Sequence, residues 1–139
     1  MKLTKNFSLK EFLISRFYSN KQQKQVLKDF YKDSNLLINL KELASNLQVL
    51  RDYLNTSITI NIAYRPKWYE LFKNRSGKSQ HCLCKAADLK VKGYTPLEVY
   101  EAIEHLISIG KMKQGGLGKY NTFTHYDIRG VKARWDFRE

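Results

Sequence analysis

Apolar residues follow two rhythms along the chain, and the change from one to the other near residue 57 divides it. Leu36, Leu40, Leu43, Leu47, Leu50 and Leu54 recur at alternating steps of four and three, which sets them on one stripe of a helix over about 35–54. The same spacing is that of a coiled-coil seam, but the stretch is too short for one, and a core helix lying against a sheet fits better. Upstream, Ser8-Leu9-Lys10-Glu11 is a capping-box pattern, and Phe12, Leu13 and Phe17 give the helix it opens a short apolar face. A further helical piece over 21–32 carries Val26, Leu27, Phe30 and Tyr31.

Beyond residue 57 the period becomes two. Ile58, Ile60 and Ile62 alternate with Ser57, Thr59 and Asn61, the pattern of a strand with one buried face, and Ala86 to Val91 is a second strand. Thr95-Pro96-Leu97-Glu98 opens a helix that runs through Ile103, Leu106 and Ile107 and stops at Gly110, with Thr95 as cap and Pro96 at the first position. Gly115-Gly116-Leu117-Gly118 reads as a tight turn. Residues 122–128 and 132–135 read as the arms of a closing hairpin around Gly130. The expected class is α+β, with N-terminal helices packed on a small antiparallel sheet and one helix inserted in it, as a single domain over 1–139.

Composition narrows the function. The chain has 139 residues, the size of one ordinary domain, and its 42% hydrophobic content excludes a wholly disordered chain. A net charge of +12 draws it to polyanions: nucleic acid, an anionic lipid surface or an acidic cell wall. No apolar run is long enough for a transmembrane helix. The segment MKLTKNFSLKEF has no apolar core, so the expectation is a protein made without a Sec-type signal, either cytoplasmic or carried in a particle. Cys82 and Cys84 are too few for a disulfide framework.

Of the three histidines, His105 falls within the 96–109 helix and is given no role. His81 and His125 stand in richer text, Ser79-Gln80-His81-Cys82-Leu83-Cys84-Lys85-Ala86-Ala87-Asp88 and Phe123-Thr124-His125-Tyr126-Asp127-Ile128-Arg129-Gly130. Asp88, between Ala87 and Leu89, is a carboxylate in apolar company and needs a compensating charge. Zinc would supply it, because two imidazoles and one carboxylate leave a fourth tetrahedral position open for water. A rival metal set recruits Cys82 and Cys84. The bland alternatives are unrelated polar residues and two small apolar fillers.

Taken in order, Ser-x-His-x(6)-Asp, then Gly-Gly-x-Gly-x-Tyr, Phe-x-His-x-Asp-x-Arg-Gly and Arg-Trp resemble the zinc peptidases of the D-Ala-D-Ala carboxypeptidase type, which hydrolyse peptide bonds in peptidoglycan stem peptides as carboxypeptidases or endopeptidases. Asn6-Phe7 with Glu11-Phe12, the helix from Asn39 and Tyr64-Arg65-Pro66 resemble further parts of that domain. The resemblance implies a fold like that of Hedgehog and the D,D-peptidases. It implies His81, Asp88 and His125 as ligands of Zn2+, Arg65 as a catalytic and substrate-holding residue, and Ser79 as a substrate-site residue. It also implies stem peptides as partners. The small single domain without a signal suits a bacteriophage lysis or virion-borne enzyme, expected as a monomer or part of a viral particle, and the spread of basic residues along the chain argues against obligatory nucleic acid.

Three departures stand out. The family glycine after the first histidine is Cys84, whose backbone is therefore expected to avoid the conformation glycine tolerates. Its Ser-Gly before Tyr-Arg is Ile62-Ala63. Its general base, three residues before the last ligand, is Thr122, which takes no proton near neutral pH. Asp127, on the same strand face as His125, is the replacement expected as catalytic base; equally, it pairs with Arg129, Arg134 or the His125 ring. If only the pairing holds, the protein is a slow hydrolase or a structural, wall-binding virion protein with the zinc fold. A basic nucleic-acid-binding module is the remaining alternative.

Overall fold

The computed structural model describes all of residues 1–139. Three helices lead, α1 (Leu9–Leu13), α2 (Asn20–Lys32) and α3 (Ser34–Leu54); β1 (Ile58–Ile62), α4 (Lys67–Phe72), β2 (Ala86–Val91), α5 (Pro96–Ser108), β3 (Gly116–Lys119), β4 (Thr124–Asp127) and β5 (Ala133–Asp136) follow, with one 3-10 turn at Gln80–Leu83. The class is α+β.

Local chemistry sets the helix ends. Complete capping boxes form at Ser8 with Glu11, Ser19 with Gln22 and Thr95 with Glu98. All six leucines of the α3 stripe are buried, so this helix is a core element. Each such leucine contributes about 1.5–3 kcal/mol. The first apolar face is shorter than its sequence pattern: α1 ends at Leu13, and Phe17 lies beyond it, 48% exposed.

The sheet runs in the order β1-β2-β4-β3-β5. The first four strands are antiparallel neighbours, but β5 joins β3 in parallel, which makes the sheet mixed. The hairpin expected around Gly130 therefore does not form. Strand β4 is already paired on both edges, to β2 and β3, so the chain after Gly130 crosses to the free edge of β3.

Period-two alternation divides the two faces of this sheet. Leu89, Leu117 and Tyr126 point into the core with α5 across them, while Asp88, His125 and Asp127 point the other way. Register then lines up one row across four strands: Asp88 pairs with His125, His125 with Gly118, and Gly118 with Trp135.

Of Gly115 to Gly118, expected as a turn, all but Gly115 lie in strand β3 instead. The glycines are there for closeness rather than for turning. A Cβ at Gly118 would lie 2.2 Å from Nε1 of Trp135, and one at Gly116 would lie 2.1 Å from Oδ2 of Asp127. Cys84 corrects a second expectation: its φ is 58°, in the left-handed region. The strained conformer, which costs about 1–2 kcal/mol, is held by full burial of the side chain and by a hydrogen bond from its amide to the His81 carbonyl. Both cysteines are free thiols.

Gly118→Ala should cost about 1–3 kcal/mol in urea unfolding and change the fluorescence of Trp135. A loss indistinguishable from zero would mean that the indole does not need that space.

Candidate metal centre

Three side chains converge on the open face of the sheet. Asp88 and His125 are cross-strand partners, and His81 reaches the same point from the 3-10 turn. One ligand atom from each lies within 4.8 Å of the others. Oδ1 of Asp88 is 3.1 Å from Nδ1 of His125 and 3.3 Å from Nε2 of His81.

The outward ring nitrogens determine what the inward ones carry. Nδ1 of His81 is 2.8 Å from the Ala63 carbonyl, which only accepts, so Nδ1 bears the proton. Nε2 of His125 is 2.7 Å from Oδ2 of Asp127 and donates to that carboxylate. The inward nitrogens are therefore bare whenever the rings are neutral; a second proton on His125 would sit on Nδ1, shared with Oδ1 of Asp88. Three lone-pair atoms face one another in a site where both imidazoles are almost fully buried. Such a group is unfavourable until a cation or a proton lies between its members. Two nitrogens and one oxygen, each ring held from behind by an acceptor, fit a divalent ion such as zinc.

The titration directions agree. Burial pulls His81 below the ordinary imidazole range. Burial also pulls His125 down, but hydrogen bonds to Asp127 and Asp88 outweigh it and leave the pKa raised. Asp88 is pushed up by burial, yet His81 and His125 hold it well below the usual carboxylate range.

Asp127 shares the face of His125, as expected, but lies behind the ring. Its Oδ1 accepts from the Gly116 amide at 2.8 Å and from Nε of Arg129 at 2.9 Å, and its Oδ2 accepts from Arg129 and His125. The carboxylate is fully buried, and the imidazole separates it from the cleft. Arg134, another partner weighed for it, pairs with Glu104 instead.

Arg65 and Ser79 meet at a residue the sequence reading passed over. Glu70, 1% exposed, accepts from Nε of Arg65 at 2.8 Å and from the Ser79 hydroxyl. The terminal nitrogens of Arg65 are left free toward the cleft. Ser79 has committed its proton to Glu70. Burial raises the Glu70 pKa, but the bonds from Ser79 and Arg65 lower it further, and the net shift is downward. This clamp therefore contributes stability above the ordinary carboxylate range and loses it as acid protonates Glu70. Position 70, within α4, carries no motif that would have singled it out.

Tyr120 was likewise quoted in a motif but assigned no role. Its hydroxyl accepts from Nε1 of Trp135 at 3.0 Å, and its ring stacks on Phe123 at 4.2 Å. Trp135 also lies against His125, ring centres 4.8 Å apart. The cleft over the candidate ligands has a volume of about 420 Å3 and includes Arg65, Ser79 and Tyr120 in its wall. Thr122 is exposed and outside that wall, and Asp88 is the one carboxylate within it. His105 is exposed on α5 and distant from the group.

A family model described as Peptidase M15 matches residues 6–127, most of the chain and all three candidate ligands. The chain belongs to the peptidase M15 family. Membership supports a metallopeptidase, and the His81–Asp88–His125 group could hold its ion. No curated protein matches the chain. No helix is long and apolar enough to cross a membrane.

Because protons and metal compete for the same two nitrogens, zinc affinity measured against a chelating dye should fall by about tenfold per pH unit or more on acidification below neutrality. The raised His125 pKa starts that fall at a higher pH than an ordinary imidazole would. A flat profile would exclude the imidazoles as ligands. Asp127→Asn should weaken zinc binding by about 10–100-fold with the fold retained, whereas Asp88→Ala should abolish loading.

Proposed function

We propose that this M15 family member is a zinc-dependent peptidase that hydrolyses peptide bonds in peptidoglycan stem peptides, as a D,D-carboxypeptidase or endopeptidase. The observation that carries the reading is the convergence of His81, Asp88 and His125, one ligand atom from each within 4.8 Å of the others, at the floor of an open cleft with the Arg65 guanidinium beside it. A bacteriophage lysis or virion-borne setting belongs to the same proposal; the +12 charge would bring such an enzyme to an anionic wall.

His81, Asp88 and His125 hold the ion. When bound, it supplies Lewis acidity toward a carbonyl oxygen and activation of water near neutral pH. Asp127 acts as a positioning residue: it fixes the His125 tautomer and turns Nδ1 inward. In this reading Asp127 holds the ring rather than taking a proton as base, because both its oxygens are engaged behind the imidazole. Glu70 positions Arg65 by holding Nε, which leaves the two terminal amino groups to bind a substrate carboxylate or carbonyl. Burial raises the Tyr120 pKa, so the phenol keeps its proton at neutral pH. Since its oxygen already accepts from Trp135, the O–H is free to donate to the oxygen on which negative charge develops.

A second reading keeps the metal fold without turnover, as a wall-binding protein. One observation favours it: apart from the candidate ligands His81, Asp88 and His125, the cleft is lined by no carboxylate or imidazole to take a proton from water.

Purified peptidoglycan should release new amino groups with the zinc-loaded protein and none with a chelator present. Zinc binding without release would establish the second reading. Tyr120→Phe should lower kcat by about 10²–10³-fold with zinc affinity unchanged. Arg65→Lys should reduce kcat/KM far more than stability; equal losses in both would make Arg65 structural.

A further inference from the structure

The metal cleft does not end at Asp88. It opens into a groove of about 430 Å3 that shares Arg65, Arg75, Asp88 and Phe123 with it. Five cations line the groove, Arg16, Arg65, Lys73, Arg75 and Lys90, against a single carboxylate, the candidate ligand Asp88. The whole chain has 25 basic and 13 acidic side chains, so five to one is well above the bulk ratio. Arg65 is held by Glu70; the other four have no ion-pair partner. They come from separate segments: Arg16 follows α1, Lys73 and Arg75 follow α4, and Lys90 projects from β2. Arg16 lies over the ring of Phe17 at 5.0 Å and Lys73 over that of Tyr69 at 5.8 Å, and both rings form part of the groove wall. Like charges gathered without partners repel one another and are relieved by an anion.

Whatever fills the groove is continuous with the bond presented at the metal ligands, which favours the substrate peptide itself over a separate polyanion. We infer that the groove takes a stretch of substrate peptide bearing free side-chain carboxylates, so that the protein distinguishes stem peptides whose carboxyl groups are free from those in which they are amidated. This rests on the peptidase reading above. Arg65 at the junction serves the bond being cut, and Arg16, Lys73, Arg75 and Lys90 read the residues beyond it. Amidation replaces an acceptor that carries charge with a neutral group that also presents donors, and donors face donors.

The test uses zinc-loaded protein and two stem pentapeptides that differ only in amidation of the γ-linked glutamyl and diamino-acid carboxyl groups. Binding, by saturation-transfer NMR of the peptide, and turnover, by new amino groups, are measured separately. The free-acid peptide should bind about tenfold more tightly or better at low salt, with the difference shrinking at high salt. An Arg75→Gln/Lys90→Gln double variant should bring the two peptides to within about threefold without loss of zinc. Equal binding of the pair overturns the inference, as does absence of binding by both. So does displacement of the free-acid peptide by a glycerol-phosphate polymer when amidation has no effect, which would make the groove a general polyanion site. A binding preference with no cleavage of either peptide upholds the groove and removes the peptidase reading; cleavage of both at equal rates and equal affinity does the reverse.

Discussion

A hydrogen-bonded register holds this site together. Strand β2 lies beside β4 so that Asp88 faces His125, and β4 lies beside β3 so that His125 faces Gly118. A one-residue slip of β2 against β4 would turn Asp88 into the core, and a slip of β3 would set Leu117 or Lys119 in place of Gly118 beside His125. The register is secured by what lies on the other face, where Leu89, Tyr126 and Leu117 are fully buried. The hydrophobic effect on one side of the sheet thereby sets the chemistry on the other. The bare nitrogens follow from the same arrangement, because the partners that hold the outward nitrogens of His81 and His125 are themselves fixed by backbone geometry.

Much of this was legible because it is local. The α3 stripe, the capping boxes at Ser8 and Thr95 and the alternation of β1 depend on neighbours a few positions apart, and a chain with these patterns has few other places to put them. The three candidate ligands were legible through resemblance and through the company Asp88 keeps, and the structure brings them together. What stayed hidden depends on contacts between distant segments. A glycine run reads as a turn unless one knows that an indole from residue 135 and a carboxylate from residue 127 occupy the missing side-chain space. The parallel β5 was hidden because edge availability, rather than any local signal, sends the chain past β4. Cys84 reads as incompatible with a left-handed backbone, but burial overrides a preference worth only about 1–2 kcal/mol.

Asp127 shows where strand periodicity stops being informative. Two residues apart means one face, and that part of the expectation matches the structure. It does not say on which side of the imidazole the carboxylate lies. Gly116 decides that, since its amide binds Oδ1 and its missing side chain leaves room for the group. Arg129 then neutralises it from the same strand end.

A common logic connects the acids of this site. Asp88, Asp127 and Glu70 are each drawn out of solvent, and each is kept ionised by partners that a functional group supplies. Each one consequently orients something: the inward nitrogens of His81 and His125, the His125 ring from behind, the Arg65 fork. A carboxylate held this firmly is a poor acceptor for a new proton, since protonating it would break the contacts that justify its burial. The absence of an acid at position 122 therefore bears directly on mechanism, because the buried acids nearby are committed to geometry. The rest of the cleft wall is made of arginine and lysine side chains, aromatic rings, Ser79 and Gln80, so what the chain's own side chains offer there is orientation and hydrogen-bond donation, while the sheet fixes the positions of the candidate ligands.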